Sequence, residues 1–141
     1  MLYDAVDDPS DRTPGELLAA YRRELASVVD AVGVEAVAAE SGVDRATLEA
    51  LRDDEPADLS VEEAAAILAT ADRFPGADAV VFELRDHLLM GMSSAVLDVD
   101  TLADDIEADL TGQEVQQALE GRTRFTLEQL AQIQAAIERR T

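Results

Sequence analysis

The chain has 141 residues, of which 31 are acidic and 11 are basic, and its formal net charge is -20. It contains no cysteine, no lysine and a single histidine, His87. These absences exclude disulfides, cysteine-ligated metal sites, a Schiff-base lysine, a P-loop and a multi-histidine metal site. Because 48% of the residues are hydrophobic, the acidity does not reflect disorder, and the length fits one compact domain or two small ones.

The negative charge must lie on the surface of folded helices, where it repels itself in ordinary buffer. Molar salt shortens the Debye length to about 3 Å and removes that penalty. The absence of lysine, the many aspartates and alanines and the few aromatic residues together resemble proteins of salt-in halophiles. We therefore expect a halophilic protein. The cations of the concentrated salt would then be part of its solvent and would not be specific ligands. The alternative is a mesophilic acidic protein that binds basic partners.

The N-terminus has no basic segment and no long apolar stretch, so no signal peptide is expected. The longest uncharged stretch near the middle, residues 88–97, is too short to cross a membrane. We expect a cytoplasmic protein without a membrane partner.

Apolar residues recur at helical spacing along the chain and no segment alternates with period two, so the sequence predicts an all-α protein without a sheet. Residues 1–12 are rich in aspartate and are expected to form a loose acidic arm. Asp44 is the predicted N-cap of a short helix, and Gly91 is expected to interrupt the central apolar helices. Capping boxes, which mark helix starts, are predicted at residues 13–16, 60–63, 111–114 and 126–129. The predicted helices cover about 14–33, 34–41, 45–52, 61–68, 78–90, 91–97, 99–106, 112–120 and 127–139.

The second half of the chain repeats the order of the first half. Three blocks align at nearly constant offsets: residues 34–38 with 99–103, 43–51 with 110–118, and 59–67 with 125–133. The caps and loops fall in register as well as the apolar positions, so we predict a tandem repeat. The predicted organisation is an acidic arm (1–12), a first unit (13–74) and a second unit (77–141), packed around the central apolar helices.

Each unit has a short helix, a tight turn, a short helix, a loop and a capped helix, which is the order of a helix-turn-helix core. Residues 34–38, 42–48 and 59–62 resemble a lambda-repressor-like (XRE-type) helix-turn-helix. In the second unit the resemblance is carried by residues 102–103, 110–111, 115, 119–121 and 125–127. The whole chain is also similar to an uncharacterised family of small haloarchaeal proteins. The first resemblance implies two helix-turn-helix-like units, in each of which the second short helix would face DNA.

Charge separates the two units. Residues 1–105 carry 25 acids and 7 arginines, whereas residues 106–141 carry 6 acids and 4 arginines. In the first unit, the helix that would face DNA covers residues 45–52, and the run of acids that follows it should repel phosphate. We therefore interpret the first unit as structural or protein-binding. In the second unit, the corresponding helix covers residues 112–120. It has glutamines on one face, which can pair with adenine, and it is followed by arginines, which can bind phosphate or guanine. The candidate DNA-binding residues are Gln113, Gln116, Gln117, Arg122 and Arg124, and the alternative is a neutral, solvated helix.

The most apolar segment lies in the middle of the chain. Its candidate interface residues are Phe82, Leu88, Leu89, Met90 and Met92, which would pack the two units together or form a homodimer seam. Phe82 and Leu89 lie off the main apolar stripe and predict a second buried face.

No nucleophile–base pair, phosphate-binding loop or metal constellation is apparent, so we expect no enzyme, no cofactor and no metal. The leading interpretation is a non-enzymatic, DNA-associated helix-turn-helix regulator or adaptor of a halophile, acting in transcription regulation through its second unit. The alternative is a protein–protein interaction module that keeps the helix-turn-helix shape without binding DNA. The partners considered are DNA, another protein and a second copy of the chain.

Overall fold

The computed structural model describes residues 2–6, 8–9, 12–106 and 110–140. These residues form a short 3-10 helix, η1, and eight α-helices, and none of them lies in a β-strand, which confirms the predicted all-α class. No helix in this part of the chain has the length and apolar character needed to span a membrane. The bounds are η1 Leu2–Asp4, α1 Pro14–Val32, α2 Val34–Ser41, α3 Arg45–Arg52, α4 Val61–Leu68, α5 Ala77–Ala95, α6 Val99–Asp105, α7 Gly112–Leu119 and α8 Leu127–Glu138.

All four predicted capping boxes are present, at the starts of α1, α4, α7 and α8. In each, a serine or threonine hydroxyl accepts a hydrogen bond from a backbone N–H of the first turn, and a glutamate or glutamine accepts one in return. Asp98 caps α6 in a related way: its carboxylate accepts from the Thr101 N–H at 2.8 Å, which lowers the pKa of Asp98. Asp44 stands at the N-cap of α3, but its side chain makes no capping hydrogen bond, contrary to the prediction.

Helix α5 runs without a break from Ala77 to Ala95, so the predicted interruption at Gly91 is wrong. Gly91 lies where α5 approaches α8, and a Cβ atom at this position would be 2.7 Å from Ile137 Cγ2. The glycine therefore permits close packing of the two helices. Helix α5 ends instead at Ala95, and the next residue, Val96, adopts the left-handed conformation with φ of 55°.

The eight helices form two successive sets of four, α1–α4 and α5–α8, each beginning with a 19-residue helix. The starts of α4 and α8 face each other in an antiparallel bridge between Ser60 and Thr126. The Val61 N–H donates to the Phe125 carbonyl at 2.6 Å, and the Leu127 N–H donates to the Leu59 carbonyl at 3.0 Å. Ser60 and Thr126 are aligned positions of the predicted repeat, so the bridge joins equivalent points of the two sets.

The long helix of each set packs on the last helix of the other set. Helix α1 packs on α8, and α5 packs on α4. The buried apolar side chains form one core cluster that includes residues of both sets. The two sets therefore share a single core, whose largest fully buried side chains include Tyr21 and Phe125.

The beginning of the chain is anchored to this core rather than loose. Leu2 is buried, and the Tyr3 ring stacks on the half-buried His87 ring with centroids 4.3 Å apart. Gln134, which is buried in α8, donates to the Tyr3 carbonyl at 2.9 Å and accepts a hydrogen bond from the Tyr21 hydroxyl. Burial raises the pKa of Tyr21, so this hydroxyl keeps its proton. Residues 1, 7, 10 and 11 of the predicted arm lie outside the described residues.

Removing the Tyr21 hydroxyl should destabilise the fold. Tyr21→Phe leaves the Gln134 carbonyl oxygen buried without this donor, which costs about 1–3 kcal/mol. Tyr3→Phe is the control, because it keeps both the ring on His87 and the carbonyl that Gln134 contacts. Urea unfolding followed by circular dichroism in roughly 2 M KCl should give the lower free energy of unfolding for Tyr21→Phe. Equal values for the two variants would contradict the buried network.

Candidate nucleic-acid interface

Helix α7 carries three of the candidate DNA-binding residues on its outer side. It packs on α6 and α5 through its buried residues Val115, Ala118 and Leu119. Gln113 and Gln116 are exposed, whereas Gln117 is half-buried. The predicted glutamine face is therefore presented to solvent mainly by the first two residues.

The start of α7 is held tightly against α6. A Cβ atom on Gly112 would collide with the Asp100 carboxylate and lie 3.2 Å from the Asp100 Cα in α6, so a larger residue would displace the Asp100 side chain. The aligned positions of the first set are Arg45 and Glu35, and these two residues form an ion pair. The second and third helices of each set therefore contact each other at aligned positions. In the first set the contact is the ion pair between Glu35 and Arg45, and in the second set Gly112 lies against Asp100.

Arg85 of α5 supports the loop that follows α7. Gly121 in this loop has a φ of 78°, and a Cβ atom there would lie 2.6 Å from Arg85 Cζ. The Arg85 guanidinium also pairs with Glu62 at 3.8 Å, and its Nε is buried without a hydrogen-bond partner among the described residues. A cation at the C-terminal end of a helix stabilises its last carbonyls. The sequence analysis did not identify Arg85, although its place on the half-buried side of α5 was readable from the helical spacing.

Glu120 joins two of the candidate DNA-binding residues. Gln116 Nε2 donates to Glu120 Oε1 at 3.0 Å, and Arg122 Nε lies 3.2 Å from Glu120 Oε2. The Arg122 side chain remains 73% exposed, so this pair lies at the surface. Gln116 and Arg122 are therefore brought together, with a carboxylate between them that the sequence analysis did not consider.

The other candidates are placed differently. Arg124 is 61% exposed and lies 3.6 Å from Glu63 Oε1 in the first turn of α4, so its side chain is directed towards the first set. The Gln117 carbonyl accepts the Arg122 N–H at 2.8 Å, which fixes the backbone that leads into the loop. Gln113 remains exposed in the first turn of α7. Residues 107–109, in the predicted turn before α7, lie outside the described residues.

The arginines of α3 are paired with acids. Arg45 contacts Glu49 at 3.0 Å as well as Glu35, and these carboxylates raise the pKa of Arg45. Arg52 lies 3.4 Å from Asp53. Both positive charges of this helix are therefore offset locally, while the acids that follow α3 remain exposed.

Two of the five candidate interface residues belong to the core. Leu88 and Met92 are 1% and 6% exposed and continue the buried stripe that begins at Val80 and Leu84, so they are not available to a partner. Phe82, Leu89 and Met90 are 70%, 49% and 62% exposed. The predicted second buried face at Phe82 and Leu89 is therefore wrong within this chain, because no described helix covers that side of α5.

Alanine at Gly121 should destabilise the protein more than alanine at Gly42. Both glycines have positive φ, 78° and 74°, and both substitutions incur the left-handed cost of about 1–2 kcal/mol. Only at Gly121 would the new Cβ meet the Arg85 guanidinium, since nothing lies within 4 Å at Gly42. Displacing the guanidinium also weakens its ion pair with Glu62, which should add up to about 1 kcal/mol to the loss measured by urea unfolding. Equal losses at the two positions would contradict the Arg85 contact.

No group of three or more His, Asp or Glu side chains within the described ranges could hold a metal ion. No curated protein and no solved structure matches the chain. A model described as a family of unknown function, DUF5791, matches residues 17–140. The match includes both sets of helices and nearly the whole chain, and the protein therefore belongs to this family.

Proposed function

We propose that the protein is a non-enzymatic, DNA-associated helix-turn-helix regulator or adaptor of a halophile, acting in the cytoplasm. Its DNA contact is made by the second set of helices. The observation that carries the proposal is the outer side of α7, where Gln113 and Gln116 are exposed and Arg122 and Arg124 follow as largely exposed cations. Glutamine and arginine are the side chains suited to base edges and phosphates.

The arrangement of α6 and α7 supports this proposal. Two short helices pack together at Asp100 and Gly112, and the second of them leaves one side in solvent. A helix-turn-helix needs this arrangement, because its second helix enters the major groove while its first helix braces it. The local charge also supports it, since residues 106–141 carry a small part of the total negative charge.

Glu120 acts in this proposal as a competitor for DNA phosphate. It holds Arg122 and Gln116 in the free protein. An exposed ion pair contributes only about 0–1 kcal/mol, so Arg122 can exchange the carboxylate for a phosphate at little cost. The carboxylate nevertheless remains close to the DNA and lowers the affinity.

Arg122→Ala and Glu120→Gln should therefore change DNA affinity in opposite directions. Binding is measured by fluorescence anisotropy with labelled duplex fragments over about 0.5 to 3 M KCl. Arg122→Ala should weaken binding and reduce the slope of log K against log salt by about 1. Glu120→Gln should strengthen binding, because it removes the competing charge and retains an acceptor for Gln116.

Arg52→Ala is the matched control. Arg52 is the last residue of α3 and, like Arg122, pairs with a neighbouring carboxylate, but in the first set, so its loss should leave DNA affinity unchanged. Absence of binding by the unaltered protein at every salt concentration would overturn the DNA proposal. Binding unaffected by Gln116→Ala combined with Arg122→Ala would overturn the assignment of this face.

The second candidate function is a protein–protein interaction module that has the helix-turn-helix shape without DNA binding. The carboxylates paired with Arg45, Arg52 and Arg122 favour it, because they offset cations that DNA would need. A protein that binds no duplex in the anisotropy measurement, but remains folded there, would favour this second function.

The proposed halophilic habitat predicts a salt-dependent fold. With a formal charge of -20, dilution to about 0.1 M KCl lengthens the Debye length to about 10 Å and restores repulsion across the surface. Circular dichroism should show loss of helix on dilution and recovery on adding KCl. NaCl at equal ionic strength should restore the same signal, because the cations act by screening. A fully helical chain at low salt would contradict the habitat.

A further inference from the structure

The outer side of α5 carries an apolar stripe that no described element covers. Its members are Phe82, Leu89 and Val96, which are 70%, 49% and 90% exposed, with Met90 beside them at 62%. Phe82 and Leu89 are seven residues apart on α5 and therefore lie on one line along the helix, with a drift of only about 20° per heptad. Val96, the left-handed residue that follows the last residue of α5, comes seven residues after Leu89. We call these four residues the α5 outer stripe. All the large hydrophobic residues found exposed in the described chain belong to it.

We propose that the α5 outer stripe is a homodimer seam, in which α5 of two copies pack antiparallel about a two-fold axis at Leu89. The proposal is independent of DNA contact, because the stripe lies on a different helix from Gln116 and Arg122. The four residues expose on the order of 500 Å² per copy, so their complete burial in two copies would contribute about 1,000 Å², the lower bound for a biological interface. Their polar neighbours on α5 add the rim.

The shape of the surface matches this symmetry. A groove of about 520 Å³ lies at the C-terminal end of α5, lined by Leu89, Met92, Ser93, Val96, Leu97 and Asp98. Phe82 precedes Leu89 by seven residues, and Val96 follows it by seven. A two-fold axis at Leu89 therefore places Phe82 of each copy over the groove of the other. Each Phe82 ring then lies on the open groove of the partner, about 10 Å from the axis along the helix, and aromatic side chains are enriched at protein interfaces.

The charges along α5 select the antiparallel direction. Asp78, Glu83 and Asp86 are exposed on its N-terminal half, whereas residues 88–97 are uncharged. In an antiparallel pair, Glu83 and Asp86 of one copy lie against the uncharged residues 92–95 of the other, with Asp86 near the partner's Ser93. Among the three acids, Asp78 alone approaches an acid of the partner, Asp98 at the end of the groove. A parallel pair would place each of these acids opposite the same acid of the other copy, and the repulsion between the two negative charges would be unfavourable.

Strain at Val96 is a separate observation within the stripe. Val96 is a β-branched residue with a φ of 55°, a conformation that favours glycine. Its side chain is 90% exposed, so packing within the chain does not account for a valine there. Strained residues of this kind cluster at sites of contact or function. The dimer explains the valine, because its side chain meets Phe82 of the other copy.

Sedimentation velocity at about 3 M KCl tests the oligomeric state. The unaltered protein, with a chain mass of 15.1 kDa, should sediment as a dimer, and Leu89→Glu should sediment as a monomer with unchanged helix content. Its dissociation constant should rise at least about 100-fold. Ala46→Glu is the control: it adds the same charge to an exposed position of α3, a helix that packs on α1 and α2, and should remain dimeric. A monomeric unaltered protein, or a dimeric Leu89→Glu variant, would overturn the proposal.

Cysteine cross-linking tests the geometry, since the chain has no cysteine of its own. Leu89→Cys should cross-link to its own copy with a short bis-maleimide. Phe82→Cys should not, because the two residues lie about 21 Å apart along an antiparallel pair, but it should cross-link to Val96→Cys in a mixed sample. Self-linking of Phe82→Cys would overturn the antiparallel register.

Val96→Gly separates the dimer contact from a structural role. Glycine relieves the left-handed strain, so the variant should be at least as resistant to urea as the unaltered protein. It should nevertheless dimerise more weakly, because it removes the surface that meets Phe82. Unchanged dimerisation of Val96→Gly would overturn the role of this residue in the seam.

Discussion

The structure depends on the bridge between Ser60 and Thr126, where the starts of α4 and α8 exchange two backbone hydrogen bonds. A backbone N–H buried at a helix start needs an acceptor, and each helix supplies one to the other. The bridge fixes the last helices of the two sets side by side. The long helix of each set can then pack on the last helix of the other, so α1–α4 and α5–α8 form a single core.

The same bridge positions the candidate DNA-binding surface. The first turn of α4 carries Glu62 and Glu63, which are favourable at a helix N-terminus. Because α4 starts beside α8, these two acids reach across to Arg85 and Arg124. Arg85 in turn supports Gly121 in the loop after α7. Glu62 and Glu63 of the first set therefore contact two arginines at the loop after α7. This loop carries the arginines proposed to bind phosphate.

Local signals in the sequence predicted the helices well, because capping boxes and helical periodicity act within a few residues. The starts of α1, α4, α7 and α8 were predicted for this reason. Contacts between residues far apart in the chain could not be predicted in this way. Gly91 lies inside α5 at the place where Ile137 of α8 packs against it. Phe82 is exposed because no described helix covers it. In the candidate site, helical spacing indicated the exposure of Gln113 and Gln116. The same spacing makes Gln116 and Glu120 neighbours at i and i+4. It could not show that Glu120 also contacts Arg122, since that depends on side-chain direction in a loop.

Molar salt affects the two proposed surfaces in opposite ways. Contacts to phosphate gain affinity from counterion release, which is nearly lost in molar salt. Burial of apolar surface is strengthened by salts that are excluded from the protein surface, and the same salt screens repulsion between two highly acidic copies. A dimer formed through Phe82, Leu89 and Val96 would therefore be most stable under the conditions in which a single α7 binds DNA most weakly. It would carry two copies of α7, and where both reach one duplex the second contact becomes intramolecular, so that binding increases without any additional positive charge.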